Sequence, residues 1–217
     1  MKDRVLTHSI SPKTVLRGQR AWKEGKKIVS LICKKPMLIG RSQSTLNIRN
    51  CIKSDLQSLQ LDPISAELKH DCCELDLSRL KNLVIHYRCD AIIAAGGGKV
   101  LDSGKLLSDR LKIPCITIPT SAATCAGWTA LSNIYSHKGA FIKDVALSSC
   151  PELLIFDHGF VKQAPPRMLA SGIADALAKW YESSLNSISS TDGLVQQAVQ
   201  MARVLRDQLF IDGHQAF

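Results

Sequence analysis

The stretch DAIIAAGGGKVLDSGK, Asp90 to Lys105, holds the residues best suited to chemistry. Ile92 to Ala95 is an apolar run of strand length. It stops at three glycines, Gly96, Gly97 and Gly98, which can take backbone angles closed to other residues. Beyond them Val100, Leu101, Leu106 and Leu107 recur at helical spacing, so the glycines join a strand end to a helix start. At a helix start the unpaired N–H groups and the positive end of the dipole face an anion. Without side chains a pyrophosphate can come close, and Lys99 adds a full positive charge.

A second stretch, PTSAATCAGWTALSNIY, follows an apolar strand at Pro114 to Ile118. Its small side chains permit close approach of a ligand, and its hydroxyls can hold phosphate or ribose oxygens. The bland reading of such a loop is a plain connector. A third position is Asp175, a lone acid among Ile173, Ala174, Ala176 and Leu177 in SGIADAL. Burying an unpaired carboxylate is costly, and the bland readings are an exposed or a helix-terminal acid.

The elements that must position these residues alternate. An extended lead-in, Ser11 to Leu16, precedes a helix from Gln19 to Leu31 with Trp22, Ile28 and Leu31 on one side. A strand, Pro36 to Ile39, ends at Gly40, Arg41 and Ser42. A helix from Leu46 to Leu59, a strand from Ile64 to Leu68 and a helix from Leu75 to Tyr87 lead to the glycine-rich stretch. The stretch PTSAATCAGWTALSNIY reads as loop up to Tyr135, a turn follows at Ser136 to Gly139, and a further strand spans Leu153 to Phe156. This pattern predicts an α/β, Rossmann-like parallel sheet with helices on both faces, whose ligands lie beyond the carboxyl ends of the strands. Ala164-Pro165-Pro166 marks a boundary between an α/β domain, 1–164, and the beginning of a helical domain, 165–217, with helices from Arg167 to Leu185 and Leu194 to Leu209.

Composition narrows the class. The 217 residues are 45% apolar, with a net charge of +9, but Lys and Arg are scattered rather than clustered with aromatics, which argues against nucleic acid. A phosphate-bearing small molecule, or an acidic segment elsewhere, accounts for the excess. MKDRVLTHSI has no apolar core of the signal-peptide kind, and no run is long enough to span a bilayer, so the expectation is a soluble, cytoplasmic protein without membrane partners. Eight cysteines without CxxC spacing are read as reduced thiols, most of them core residues.

Taken together, GGGKVLDSGK, PTSAATCAGWTALSNIYSHKG and APPRMLASGIADALAKWYE resemble the glycerol dehydrogenase branch of the iron-containing (group III) alcohol dehydrogenases, whose fold is related to dehydroquinate synthase. The resemblance runs from Ser11 onward. It implies a nucleotide-binding domain, a helical domain and a divalent metal, zinc or iron, in the cleft between them. The family's dinucleotide site would be carried by Gly96, Gly97, Gly98, Lys99, Asp102, Thr120, Thr129, Leu131 and Tyr135, and its aspartate metal ligand by Asp175.

Three departures from the family pattern bear on function. Cys125 stands where glycerol dehydrogenases have a substrate-contacting aspartate, with Trp128 nearby, so glycerol is disfavoured as substrate. Arg41 stands where NAD-using relatives have an acid, which favours NADP through its 2′-phosphate. The family's two histidine ligands have no counterpart; His137, His158 and His214 are the remaining candidates. The resulting expectation is an NAD(P)-dependent alcohol or polyol dehydrogenase, possible as a homo-oligomer. Two alternatives are a glycerol-1-phosphate dehydrogenase or dehydroquinate synthase-like enzyme, and an inactive truncated chain that binds dinucleotide only.

Overall fold

The computed structural model describes residues 9–216, so the reading of MKDRVLTHSI lies, up to His8, outside the described residues. In chain order the elements are β1 (Thr14–Gly18), α1 (Ala21–Ile32), β2 (Pro36–Gly40), α2 (Leu46–Ser58), β3 (Ile64–Glu67), α3 (Glu74–Tyr87), β4 (Ala91–Gly96), α4 (Gly98–Leu111) and β5 (Cys115–Pro119). There follow β6 (Leu131–Tyr135), β7 (Phe141–Ala146), β8 (Leu153–Asp157), a single-turn α5 (His158–Val161), α6 (Pro166–Asn186) and α7 (Gly193–Asp212). Pro166 opens α6, where its missing N–H leaves no intrahelical bond unmade.

Six strands pair in the order β1-β8-β5-β4-β2-β3, all parallel, giving the expected α/β class. Alternate strand residues face opposite cores. Met37, Ile39, Ile92 and Ala94 pack with Leu77, Leu80, Leu101 and Leu106 of α3 and α4. Leu38, Ile93, Ile116 and Ile155 pack with Trp22, Val29, Ile52 and Leu56 of α1 and α2. Covering on both sides explains why the inner strands read as continuous apolar runs.

The chain runs outward from β2 to β3, then returns to the other side of β2 as β4. It leaves β2 towards one core and β4 towards the other, which opens a crevice between their carboxyl ends. Asp157 fastens the far side of this rim. Its buried carboxylate accepts the Trp22 N–H at 2.8 Å, at the start of α1, and the Gly159 and Phe160 N–H groups at 2.7 and 3.3 Å, at the start of α5.

Two expectations need correction. Leu31 is 85% exposed, and the buried face of α1 is Trp22, Gly25 and Val29. Nine residues at 100° each put Leu31 on the side opposite Trp22. The end of the expected loop, Leu131–Tyr135, is instead strand β6, which with β7 forms an antiparallel hairpin bulged at Ile134/Tyr135 and turning through Gly139 at φ +88°. Its signal is weak because β7 is exposed over most of its length and so shows no apolar alternation.

The chain forms two compact units. Of the described residues, one contains those up to Thr120 together with Cys125–Gln163, and the other Ser121–Thr124 together with those from Ala164. No helix among the described residues is long and apolar enough to cross a membrane.

Candidate functional site

The glycines owe their place to space rather than to unusual backbone angles. Gly97 caps α4 at φ −82°, ψ −177°, which any residue adopts, and among the described residues the positive-φ glycines are Gly18 and Gly139. A Cβ on Gly96 would stand 2.8 Å from Val100 Cβ, and one on Gly104 2.5 Å from Ala94 Cβ. Those two let α4 lie close against the sheet. A Cβ on Gly97 would meet nothing within 4 Å, so Gly97 borders open space at the amino end of a fourteen-residue helix. That end has neither a side-chain cap nor an acid in its first turn, leaving its positive potential uncompensated by the helix itself. Thr120, buried at the end of β5, donates its N–H to Gly96 O at 3.1 Å and ties the two strand ends together.

Asp71, which sequence reasoning passed over, organises the cations of the crevice. It lies in the loop after β3, with its side chain 10% exposed. Its carboxylate accepts hydrogen bonds from Lys99 Nζ at 2.5 Å and from Arg41 Nη1. Burial by itself would raise the Asp71 pKa, but the bonds from Lys99 and Arg41 outweigh it and hold the carboxyl below its usual range. The same Lys99 stands 4.9 Å above the Tyr135 ring. The Tyr135 N–H donates to Cys72 O at 2.8 Å, and Gly139 also lies close to Asp71, so the hairpin packs on this loop. An acid just past the end of a strand is the signal the sequence offers for it.

A second residue missed in the sequence, Lys105, gathers three of the expected ones. Its side chain is 1% exposed and pairs with Asp102 at 3.2 Å. Its Nζ donates to Thr129 O at 3.1 Å, to Thr129 Oγ1 at 3.2 Å and to Leu131 O. Burial pushes the Asp102 carboxyl up, against the pull of Lys105. Asp102, Thr129 and Leu131 therefore form a buried latch between α4 and the hairpin. Cys125 is exposed and Trp128 partly so; they share a turn in which the Trp128 N–H donates to Cys125 O at 2.9 Å.

Asp175 on α6 has a side chain 38% exposed and pairs with Lys179 at 3.0 Å. His137, His158 and His214 are exposed. Among the described residues the group of three His, Cys, Asp or Glu donors close enough to share an ion is His70, Cys73 and Asp76, and it includes none of these four. The donor set around Asp175 thus does not complete a metal centre. A cavity of about 350 Å³ lies at the other end of β5, lined by Lys105, Asp109, Lys112 and Cys115 among others, away from the glycine turn.

With this geometry in view, comparison with known proteins is informative. The family model for iron-containing alcohol dehydrogenase matches residues 12–158. An uncharacterised oxidoreductase of Synechocystis is 43% identical over 211 residues, covering 95% of this chain and 53% of its own. The glycerol dehydrogenase of Escherichia coli is 33% identical over 184 residues, covering 82% and 48%. The crystal structure of a probable glycerol dehydrogenase from Sinorhizobium meliloti superposes with a TM-score of 0.85 at 23% identity, covering 97% of this chain and 59% of that one, a likeness of fold. The chain spans about half the length of the curated relatives it matches. The match over most of the α/β unit and the identity to these relatives establish that the chain belongs to the iron-containing alcohol dehydrogenase family, in its glycerol dehydrogenase-like branch.

Proposed function

We propose that this chain supplies the dinucleotide-binding part of an NAD(P)-dependent alcohol or polyol dehydrogenase, with 1–164 as the binding domain and 165–217 as the start of a helical one. The observation that carries the reading is the open space at Gly97 before an uncapped α4, flanked by Lys99. A pyrophosphate there meets N–H groups, a helix dipole and an ammonium group at once. When bound, the nicotinamide exchanges a hydride with the substrate carbon. The chain's own contribution is to seat the anion, to hold Thr120 and the hairpin against the turn, and to offer Cys125 and Trp128 as one wall for a small alcohol. A thiol is a weak hydrogen-bond partner, which favours substrates less polar than glycerol.

A divalent metal belongs to this reading through the family alone. Asp175 is the ligand that the family motif locates in the helical segment, and its carboxylate is engaged by Lys179. A catalytic site generally takes about three protein ligands, so no step is assigned to a metal here. A cytoplasmic setting agrees with the eight free cysteines, six of them buried.

Arg41 bears on cofactor choice. Its Nη1 is held by Asp71, which leaves its other N–H donors for a 2′-phosphate, while the Asp71 charge opposes that phosphate. The test is a titration of NADH and NADPH against wild type, Gly97→Val and Arg41→Asp. Gly97→Val should weaken both cofactors at least tenfold, since its side chain fills the space meant for the pyrophosphate; unchanged affinity would remove the glycine turn from the site. Arg41→Asp should move the affinity ratio towards NADH, and an unchanged ratio would remove Arg41.

A further inference from the structure

His70 Nδ1 is buried and has no hydrogen-bond partner. It lies 3.7 Å from Asp76 Oδ2. Cys73 is 2% exposed and is the cap residue of α3, and Asp76 follows one turn later on the same face. One donor atom from each of the three, nitrogen, sulfur and oxygen, lies within 4.8 Å of the others. A buried imidazole nitrogen without a partner costs stability unless something fills its lone pair.

We propose that His70, Cys73 and Asp76 bind one thiophilic divalent cation of the zinc class, which clamps the loop after β3 to the first turn of α3. In a tetrahedral zinc site, bonds of roughly 2.0–2.3 Å place donors about 3.3–3.8 Å apart, so modest side-chain rotation closes the set. The three donors fill three of the four positions of such a cation, and a water completes the set. On binding, the Cys73 thiol gives its proton to solvent and the sulfur becomes a thiolate ligand. Thiolate and Asp76 carboxylate together offset the cation, while the start of α3 and Arg79 oppose it.

Asp76 comes already oriented. Its Oδ2 accepts the Lys69 and His70 N–H groups at 2.8 and 2.7 Å, and its Oδ1 accepts Arg79 Nη2 at 2.8 Å and Nε at 3.1 Å. These four bonds occupy both oxygens, so the cation reaches Oδ2 by displacing one of its two backbone N–H donors. The site is separate from Asp175 and independent of the dehydrogenase reading.

The experiment uses cobalt(II) as a probe for zinc on the full 217-residue chain after chelation and dialysis. One Co²⁺ per chain should bind, with a thiolate-to-cobalt charge-transfer band that Zn²⁺ displaces. Cys73→Ser, which keeps a residue suited to capping α3, should abolish the band, and His70→Gln should weaken binding at least tenfold with the band retained. Asp175→Asn should change neither. Circular dichroism identifies any variant that fails to fold, and His70→Gln then stands as the independent reading. Absence of bound Co²⁺, a band that survives Cys73→Ser because exposed Cys51 or Cys125 carries it, or loss of binding in Asp175→Asn would each overturn the proposal.

Discussion

Helix α4 buries nine consecutive residues, Val100 to Ser108, whereas α6 and α7, of 21 and 20 residues, bury none. Composition does not account for the contrast. The buried run of α4 includes Asp102, Ser103, Lys105 and Ser108, while α6 and α7 expose Tyr181, Leu185, Met201, Val204 and Phe210. What differs is the supply of neighbours. Around α4 the sheet, α3 and the hairpin offer apolar contact and hydrogen-bond partners, so even an ion pair is enclosed. Around the helical pair little within its own unit covers the outward apolar groups. Burial is thus a property of what surrounds a helix, and polar groups can be enclosed wherever each finds a partner.

The largest expected effect tests the enclosed side. Lys105→Met leaves Asp102 buried without its counter-charge and Thr129 and Leu131 without their donor. It should cost about 3–5 kcal/mol in urea unfolding, and Asp102→Leu added to it should restore part of the loss. A cost below about 1 kcal/mol would mean that the latch is open to water and the contrast overstated.

A smaller effect belongs to the crevice, where partners are half exposed. Asp71→Asn should cost about 1 kcal/mol near pH 7, because Lys99 and Arg41 are then left facing each other in reach of solvent. The folded pKa of Asp71 lies below its unfolded value of about 3.9. Its stabilisation is therefore present above that value and lost as pH falls through the folded pKa. The wild-type advantage over Asp71→Asn should hold from pH 8 to 5 and shrink below about pH 4. A gap that persists unchanged into stronger acid would show that the pairing does not carry it.

The smallest effect sharpens the exposed side. Met201 is 74% exposed, so Met201→Ala should change unfolding free energy by no more than about 0.5 kcal/mol. A cost of about 2 kcal/mol would place this face in a packed environment and narrow the difference between the two regions.

Much of the α/β pattern could be read from the chain because its signals are local. The run Ile92 to Ala95, the glycines after it and Pro166 at the start of α6 each act through neighbours in sequence. The hairpin of β6 and β7 escaped because an exposed strand carries no apolar period. Lys105 escaped because a lysine at helical spacing reads as solvated; nothing near it in sequence announces that Thr129 and Leu131 will supply its acceptors.

By itself the sequence determined the alternation of strand and helix, the glycine turn before α4 and the family. These depend on spacing, backbone freedom and side-chain size within a few residues. Tertiary structure alone decided that Asp71 holds both Arg41 and Lys99, separated from it by 30 and 28 positions. It also decided that Asp102 lies beneath a hairpin, and that the glycines serve space rather than backbone angle. Such outcomes follow from how the carboxyl ends of parallel strands converge. Strand order brings together charges that are far apart in the chain, and no local pattern encodes that order.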